Sequence, residues 1–230
     1  MVLAMLALVP GAGEAEPADD PDPDRAHDHA SERIVIDVEQ RRLWLIAGAD
    51  TLMSEPVAVG KGGDYQVVDH SHNFDTPKGR RVVLLKEEDP IWTPPDWHYY
   101  EKAEAKGLEV VALRDGDRVE LADGTTLEVR ENRVGRINRW GNWWPFTPGS
   151  EIIFDGRIFM PPLESPQRRI PDALGPAKLD LGDGYMIHGT HRYNRTSVGD
   201  AASHGCIRME NERLLELYEH VEVKTPVVIT

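Results

Sequence analysis

Cysteine is almost absent: the 230 residues hold one, Cys206. A single thiol closes no intrachain disulfide, so oxidation does not hold this fold together. Basic side chains are also scarce, with 26 Lys and Arg against 40 Asp and Glu and a formal net charge of −14. That balance argues against a general nucleic-acid partner, which needs phosphates neutralised in bulk, and against electrostatic docking on anionic lipid. No apolar run approaches the roughly 20 residues needed to span a bilayer. What remains is an ordinary globular composition, 40% hydrophobic, long enough for one good-sized core or one domain plus an insertion.

The first 15 residues run apolar from Val2 to Val9 and end in small residues at Gly13 and Ala15. They resemble the second half of a secretory signal peptide, without its basic start, and predict export. Residues 16–32 are acidic, proline-rich and nearly free of large apolar groups. Such a segment buries too little surface to offset its ordering entropy and reads as a linker. His27 and His29 fall on it and read as incidental.

Ordered structure is expected from Arg33 onward. Ile34, Ile36 and Val38 alternate with polar neighbours, as do Leu43 and Leu45, giving strand, turn, strand. "EPVAVG" adds a third strand, and residues 81–85 a fourth. "PPDWHYYEKAEAKGL" reads as a short helix, N-capped by Asp96 and stopped by Gly107. Asp115-Gly116, Asp123-Gly124 and Asp155-Gly156 suggest hairpin turns. Trp140, Trp143, Trp144 and Phe146 crowd one loop-like stretch. They read either as a stacking platform for substrate or, in preference, as a buried plug holding an inserted hairpin. A second helix starts with Asn211 as N-cap, and a last strand covers residues 227–229. Short strands with two short helices predict a mainly β, sandwich-like domain.

The chemistry concentrates between Met186 and Met209, which hold three of the nine histidines and the lone cysteine. A thiol is a nucleophile only as thiolate, so it needs a base nearby. His188 closes the apolar strand "GYMI" and can be aimed across at Cys206 from a separate element. His204 is two residues before the thiol. Gly205 lets the backbone bend, and the N–H groups of Gly205 and Cys206 are candidates to bind the oxygen of a tetrahedral intermediate. Arg208 is a candidate for a substrate carboxylate.

The string His188-Gly189-Thr190, a polar loop, then Ser203-His204-Gly205-Cys206-Ile207-Arg208 resembles the signature of the L,D-transpeptidase catalytic domain, the YkuD-like family. "IVIDVEQRRLWLIAG", "PVAVGKG", "DTPKGRRVVLLKE", "LGPAKLDLGDGYMIHGT" and "KTPVVI" extend the likeness over about residues 33–95 and 170–230. The resemblance implies an L,D-transpeptidase-type β-sandwich over 33–230, with a β-rich, aromatic insertion at about 96–160. It implies a cysteine acyltransferase that acts on peptidoglycan stem peptides, as donor and acceptor, in the periplasm or cell wall. Cys206 attacks the donor carbonyl, D-alanine leaves, and an amine takes the acyl group to give a 3–3 cross-link. His188 is the base, held by a carbonyl near Gly189. Ser203, His204 and Gly205 line the thiol, and Arg208 and the tyrosine at the head of "YMIHG" (Tyr185, beside Met186) bind substrate. No metal or cofactor is implied; acylation of Cys206 by carbapenems, as a thioester, is. Water as acceptor gives an L,D-carboxypeptidase, and a protein acceptor gives attachment to the wall; a non-catalytic wall-binding module is a further alternative.

Two metal sites compete with this reading. His188, His191, His204 and Cys206 are four potential zinc ligands. "DHSHNFD" offers Asp69, His70, His72 and Asp75, and is expected to be a polar loop.

Overall fold

The computed structural model describes residues 32–68, 70–191 and 197–230. The signal-peptide and linker expectations, apart from Glu32, lie outside these residues, as does Asp69. Strands β1 (Glu32–Asp37), β2 (Arg42–Ala47) and β3 (Asp50–Pro56) form an antiparallel meander. Their alternation is the predicted one: Ile34, Ile36, Leu43 and Leu45 are fully buried. The stretch read as one further strand, "EPVAVG", is divided. β3 ends at Pro56, Ala58 bridges to Arg208, and β4 (Val59–Gly60) joins a different partner. "HSHN" is a strand rather than a loop: β5 (Asp64–Val67) and β6 (His70–Asn73) form a hairpin.

The expected strand at 81–85 is two strands, β7 (Gly79–Val82) and β8 (Leu85–Glu88), in two different sheets. The chain crosses between them at Val83, which is fully buried and bonded through its backbone to Lys224 and Thr225. An apolar run shared by two sheets shows no period that would reveal the break.

Helix α1 (Asp96–Lys106) is capped by Pro95, so Asp96 is its first helical residue rather than its cap; Gly107 stops it in the left-handed conformation, as predicted. There follow β9 (Glu109–Ala112), β10 (Arg118–Glu120), β11 (Thr126–Arg130), β12 (Arg133–Ile137), β13 (Trp143–Pro145), β14 (Ile153–Phe154) and β15 (Arg157–Met160). β10–β13 make one sheet, and β14, β15 and β9 another. Asp123-Gly124 and Asp155-Gly156 turn hairpins as expected. Asp115-Gly116 does not, because β9 leaves to pair in parallel with β15. These strands enclose their own core of Leu113, Leu127, Val134, Ile152 and Phe159.

The chain then returns with β16 (Ala177–Gly182), β17 (Tyr185–His188), β18 (Ala201–Ser203) and β19 (Ile207–Arg208), helix α2 (Asn211–His220) and β20 (Pro226–Ile229). β20 runs parallel to β1, giving the five-stranded order β3-β2-β1-β20-β7; the facing sheet is β19-β17-β16-β8. Ile34, Leu45 and Val227 from the first sheet, Leu179, Ile187 and Ile207 from the second, and Leu214 and Leu217 from α2 form one core. The N-cap of α2 is Glu210, not Asn211. The Asn211 side chain instead accepts from the Thr190 N–H at 2.7 Å, tying α2 to the segment after His188. No helix among the described residues is long and apolar enough to cross a membrane.

Candidate active site

A cavity of about 930 Å³ opens where the sandwich meets the inserted strands and helix. One wall comes from β17 and the 203–208 segment; the other holds Trp92, Trp97, His98, Lys102 and Glu151. β17 and β19 pair in parallel, Ile187 opposite Ile207 and His188 opposite Arg208. Both isoleucines point into the sandwich core. Alternate residues share a face. Met186, His188, Cys206 and Arg208 therefore all project the other way, and all four line the cavity. The sequence places the thiol and the imidazole 18 residues apart; the sheet register sets His188 opposite Arg208, with Cys206 on the same face two residues before it.

His188 is buried, with 4% of its surface exposed. Burial, helped by the positive charge of Arg208, pushes its pKa down to about 3, against a weaker pull upward from the backbone of Gly189 and Leu174. Its Nδ1 makes no hydrogen bond of ordinary geometry, so the expected carbonyl clamp near Gly189 is loose in this state. Gly189 itself is a packing requirement: a Cβ there would sit 2.4 Å from Asn211 Oδ1. The half-buried Cys206 thiol lies 3.6 Å from the carbonyl of Gly184. Burial pushes its pKa up, while the Met186 backbone and Arg208 pull the other way. Both shifts favour the neutral forms, a thiol and an unprotonated imidazole, in the free protein. Arg208, itself pushed down by burial, hydrogen-bonds Ser197 Oγ at 2.9 Å and has no carboxylate partner among the described residues.

The turn that carries the thiol is stapled from inside. Ser203 Oγ donates to the Cys206 carbonyl at 2.6 Å and accepts from the Gly205 N–H at 3.1 Å. These bonds bear on two expected roles. The Gly205 N–H is already engaged and is not a free donor for a substrate oxygen. Ser203, 1% exposed, lines the cavity while its hydroxyl is bonded to the backbone of the turn. Gly205 has φ +113°, and a Cβ there would meet Tyr185 at 2.9 Å, so only glycine fits. Its carbonyl accepts from Thr76 Oγ1 at 2.9 Å. Tyr185 stacks against Arg81, whose guanidinium holds the β16–β17 turn at Leu181 and Asp183.

Replacing Ser203 by alanine strands two backbone groups of this turn. It is expected to lower unfolding free energy by about 1–3 kcal/mol, read as a shift of the urea midpoint. An unchanged midpoint shows that the staple contributes nothing.

His204 does not face the thiol as a partner. Its Nε2 bonds both oxygens of Glu101 on α1, at 2.9 and 3.1 Å. Burial lowers its pKa against the opposing pull of Glu101. His191 lines the same cavity. Among the described residues no group of three or more His, Cys, Asp or Glu could share a metal ion.

The tryptophans singled out in the sequence are not at the site. Trp140 and Trp144 are 83% and 54% exposed, so they are not a buried plug. Only Trp143 packs inward, over Gly135 and beside Arg130. None of the three lines the cavity; Trp92 and Trp97 do. Sequence reasoning missed these two, together with Phe74, Thr76, His98 and Glu101. One signal was available: Trp97 and Glu101 are four apart on a predicted helix and so share a face. Thr76 gave none, since its partner is remote in sequence.

Fold and site together are those of a β-sandwich protein with a thiol and an imidazole on one face of a cavity. The family model of the L,D-transpeptidase catalytic domain (YkuD) matches residues 31–229, and the chain belongs to that family. It is 48% identical over 54 residues to the "Putative L,D-transpeptidase YqjB" of Bacillus subtilis (strain 168). That stretch is 24% of this chain and 30% of the curated relative, so less than a third of the relative's length is matched. Among solved structures, an L,D-transpeptidase from Xylanimonas cellulosilytica is similar at TM-score 0.45 and 12% identity, covering 87% of this chain and 60% of that one. The catalytic domain of the E. faecium L,D-transpeptidase is similar at TM-score 0.42 and 16% identity, covering 86% and 96%.

Proposed function

We propose that this protein is a cysteine acyltransferase of peptidoglycan stem peptides, forming 3–3 cross-links in the periplasm or cell wall after export. The observation that carries the reading is the placement of His188 and Arg208, on the paired strands β17 and β19, and of Cys206, immediately before β19, on one cavity face. Cys206 Sγ attacks the carbonyl of the donor stem's third, diamino-acid residue as its proton passes to the His188 imidazole. The C–N bond to the terminal D-alanine breaks, and that amine leaves with the proton from His188. A thioester remains on Cys206. An amine of a second stem then attacks the thioester, gives its proton to His188 and releases the thiol.

Arg208 has a second part in this scheme. In the free protein its charge disfavours the imidazolium. A donor carboxylate bound to Arg208 offsets that charge, so His188 becomes a better base when substrate is in place. The developing oxyanion is left with the Cys206 N–H as the donor of the turn, because the Gly205 N–H is bonded to Ser203. The segment of about 96–160 acts as an insertion that completes the substrate cavity.

The test is incubation with a disaccharide-tetrapeptide and analysis of products by mass. The expected product is the cross-linked dimer with release of D-alanine. A disaccharide-tripeptide alone assigns the same thioester to water and makes the protein an L,D-carboxypeptidase. Absence of both products, together with no acylation by a carbapenem, overturns the enzyme reading in favour of a wall-binding module.

A further inference from the structure

Helix α1 does more than wall the cavity. From one face of it, Trp97 and Glu101 both reach His204. The Trp97 ring lies 4.5 Å from the imidazole, inclined by 32°, and Phe74 meets it edge-on at 4.6 Å and 87°. Glu101 holds Nε2 with both oxygens, and Lys61, from the loop after β4, donates to Oε1 of the same carboxylate. Three segments remote in sequence thus fix one ring. That ring belongs to the residue immediately before Gly205, whose φ of +113° leads into the stapled turn and the thiol. Any rotation at His204 is passed to Cys206 through two peptide units. Glu101 itself is outside the cavity lining and its charge is met by Lys61, so it has no direct path to substrate.

We propose that Glu101 is a positioning residue for the nucleophile: by binding His204 it fixes the Ser203–Cys206 turn, and it makes the inserted helix a working part of the acylation site. This rests on the acyl-transfer reading above. Misplacing a reacting atom by about 1 Å costs on the order of 100-fold in rate, so a small loosening of the turn suffices for a measurable effect.

Because Cys206 is the only cysteine, alkylation reports on it alone. The experiment compares the wild type, Glu101→Ala and Glu101→Gln in the full chain. It reads the first-order acylation constant with a carbapenem by intact mass, the iodoacetamide alkylation rate, and the melting temperature. Glu101→Ala is expected to acylate about tenfold more slowly, with half-saturation changed by less than about twofold. Its alkylation is expected to be about threefold faster, because a loosened turn exposes the thiol. Glu101→Gln, whose side-chain oxygen still accepts from Nε2–H, is expected to return both rates to near wild type. Should Glu101→Ala fail to fold, Glu101→Asp, one methylene short of His204, carries the same expectation. Wild-type rates in the alanine variant overturn the proposal. So do losses in both rates that merely follow a lowered melting temperature. A wild type that is never acylated overturns the enzyme reading instead; the alkylation contrast then still decides the positioning role, and equal alkylation overturns it.

Discussion

Replacing Cys206 by alanine is expected to abolish covalent capture of a carbapenem and leave the fold intact. The thiol is the only one in the chain, so no second cysteine can substitute. Loss of a covalent nucleophile removes the reaction channel rather than weakening it, on the order of 10⁶-fold where such losses have been measured. The structural cost is small. The side chain is half-buried, and its contact with the Gly184 carbonyl at 3.6 Å is a weak thiol bond. The turn around it is held by Ser203, Thr76 and Gly205, none of which bonds the sulfur. Stability is therefore expected to change by less than about 1 kcal/mol. Intact mass spectrometry should show one adduct on the wild type and none on the variant, at matched melting temperature. An adduct on the alanine variant refutes Cys206 as the nucleophile.

The sandwich strands were legible because they obey a period of two with one face buried, as at Ile34, Ile36, Leu43 and Leu45. The thiol segment was legible because its residue types are rare in this chain and sit in a recognisable order. Other features were hidden for physical reasons. Val82 to Leu85 look continuous, but the chain changes sheets at Val83, and each half is paired by a partner far along the sequence. The roles around the nucleophile depend on hydrogen bonds that side chains make to backbone. Ser203 reads as a polar residue beside a thiol, yet both its contacts are internal to the turn. The aromatic cluster of residues 140–146 misled because composition does not tell which face of an edge strand is covered. Trp92 and Trp97, less conspicuous in sequence, are the ones brought to the cavity by α1 and its approach.

Stability is expected to fall steeply as pH drops from 7 to 5, mostly above the carboxylate range. Burial, with Arg208 adding to it, lowers His188 from its ordinary 6.5 to about 3. Burial, with Lys102 adding to it, lowers His98 to about 4; Glu101 and Glu151 face it and oppose the shift, and His204 supports it. A depressed histidine binds its proton in the unfolded chain first. The stability it contributes is complete above about pH 6.5 and is lost progressively as pH falls toward the folded value. For the enclosed His188 this gives a loss of about 2 kcal/mol between pH 7 and 5. His98, partly reached by solvent, adds less because water screens it. Glu151, lowered to about 2 by hydrogen bonds from Lys102 and Lys106, acts with the same sign but only in the carboxylate range below. Urea unfolding at pH 7, 6 and 5 measures the slope, and His188→Asn should remove most of it. Because burial and Arg208 hold His188 well below its ordinary value in the free folded protein, the second-order acylation constant of the folded fraction, which follows free-protein groups, should survive this window. Activity lost at pH 5 should therefore track the unfolded fraction, with no separate titration of the base. An unfolding free energy at pH 5 equal to that at pH 7 would mean that His188 is not the buried neutral imidazole on which the proposed mechanism depends.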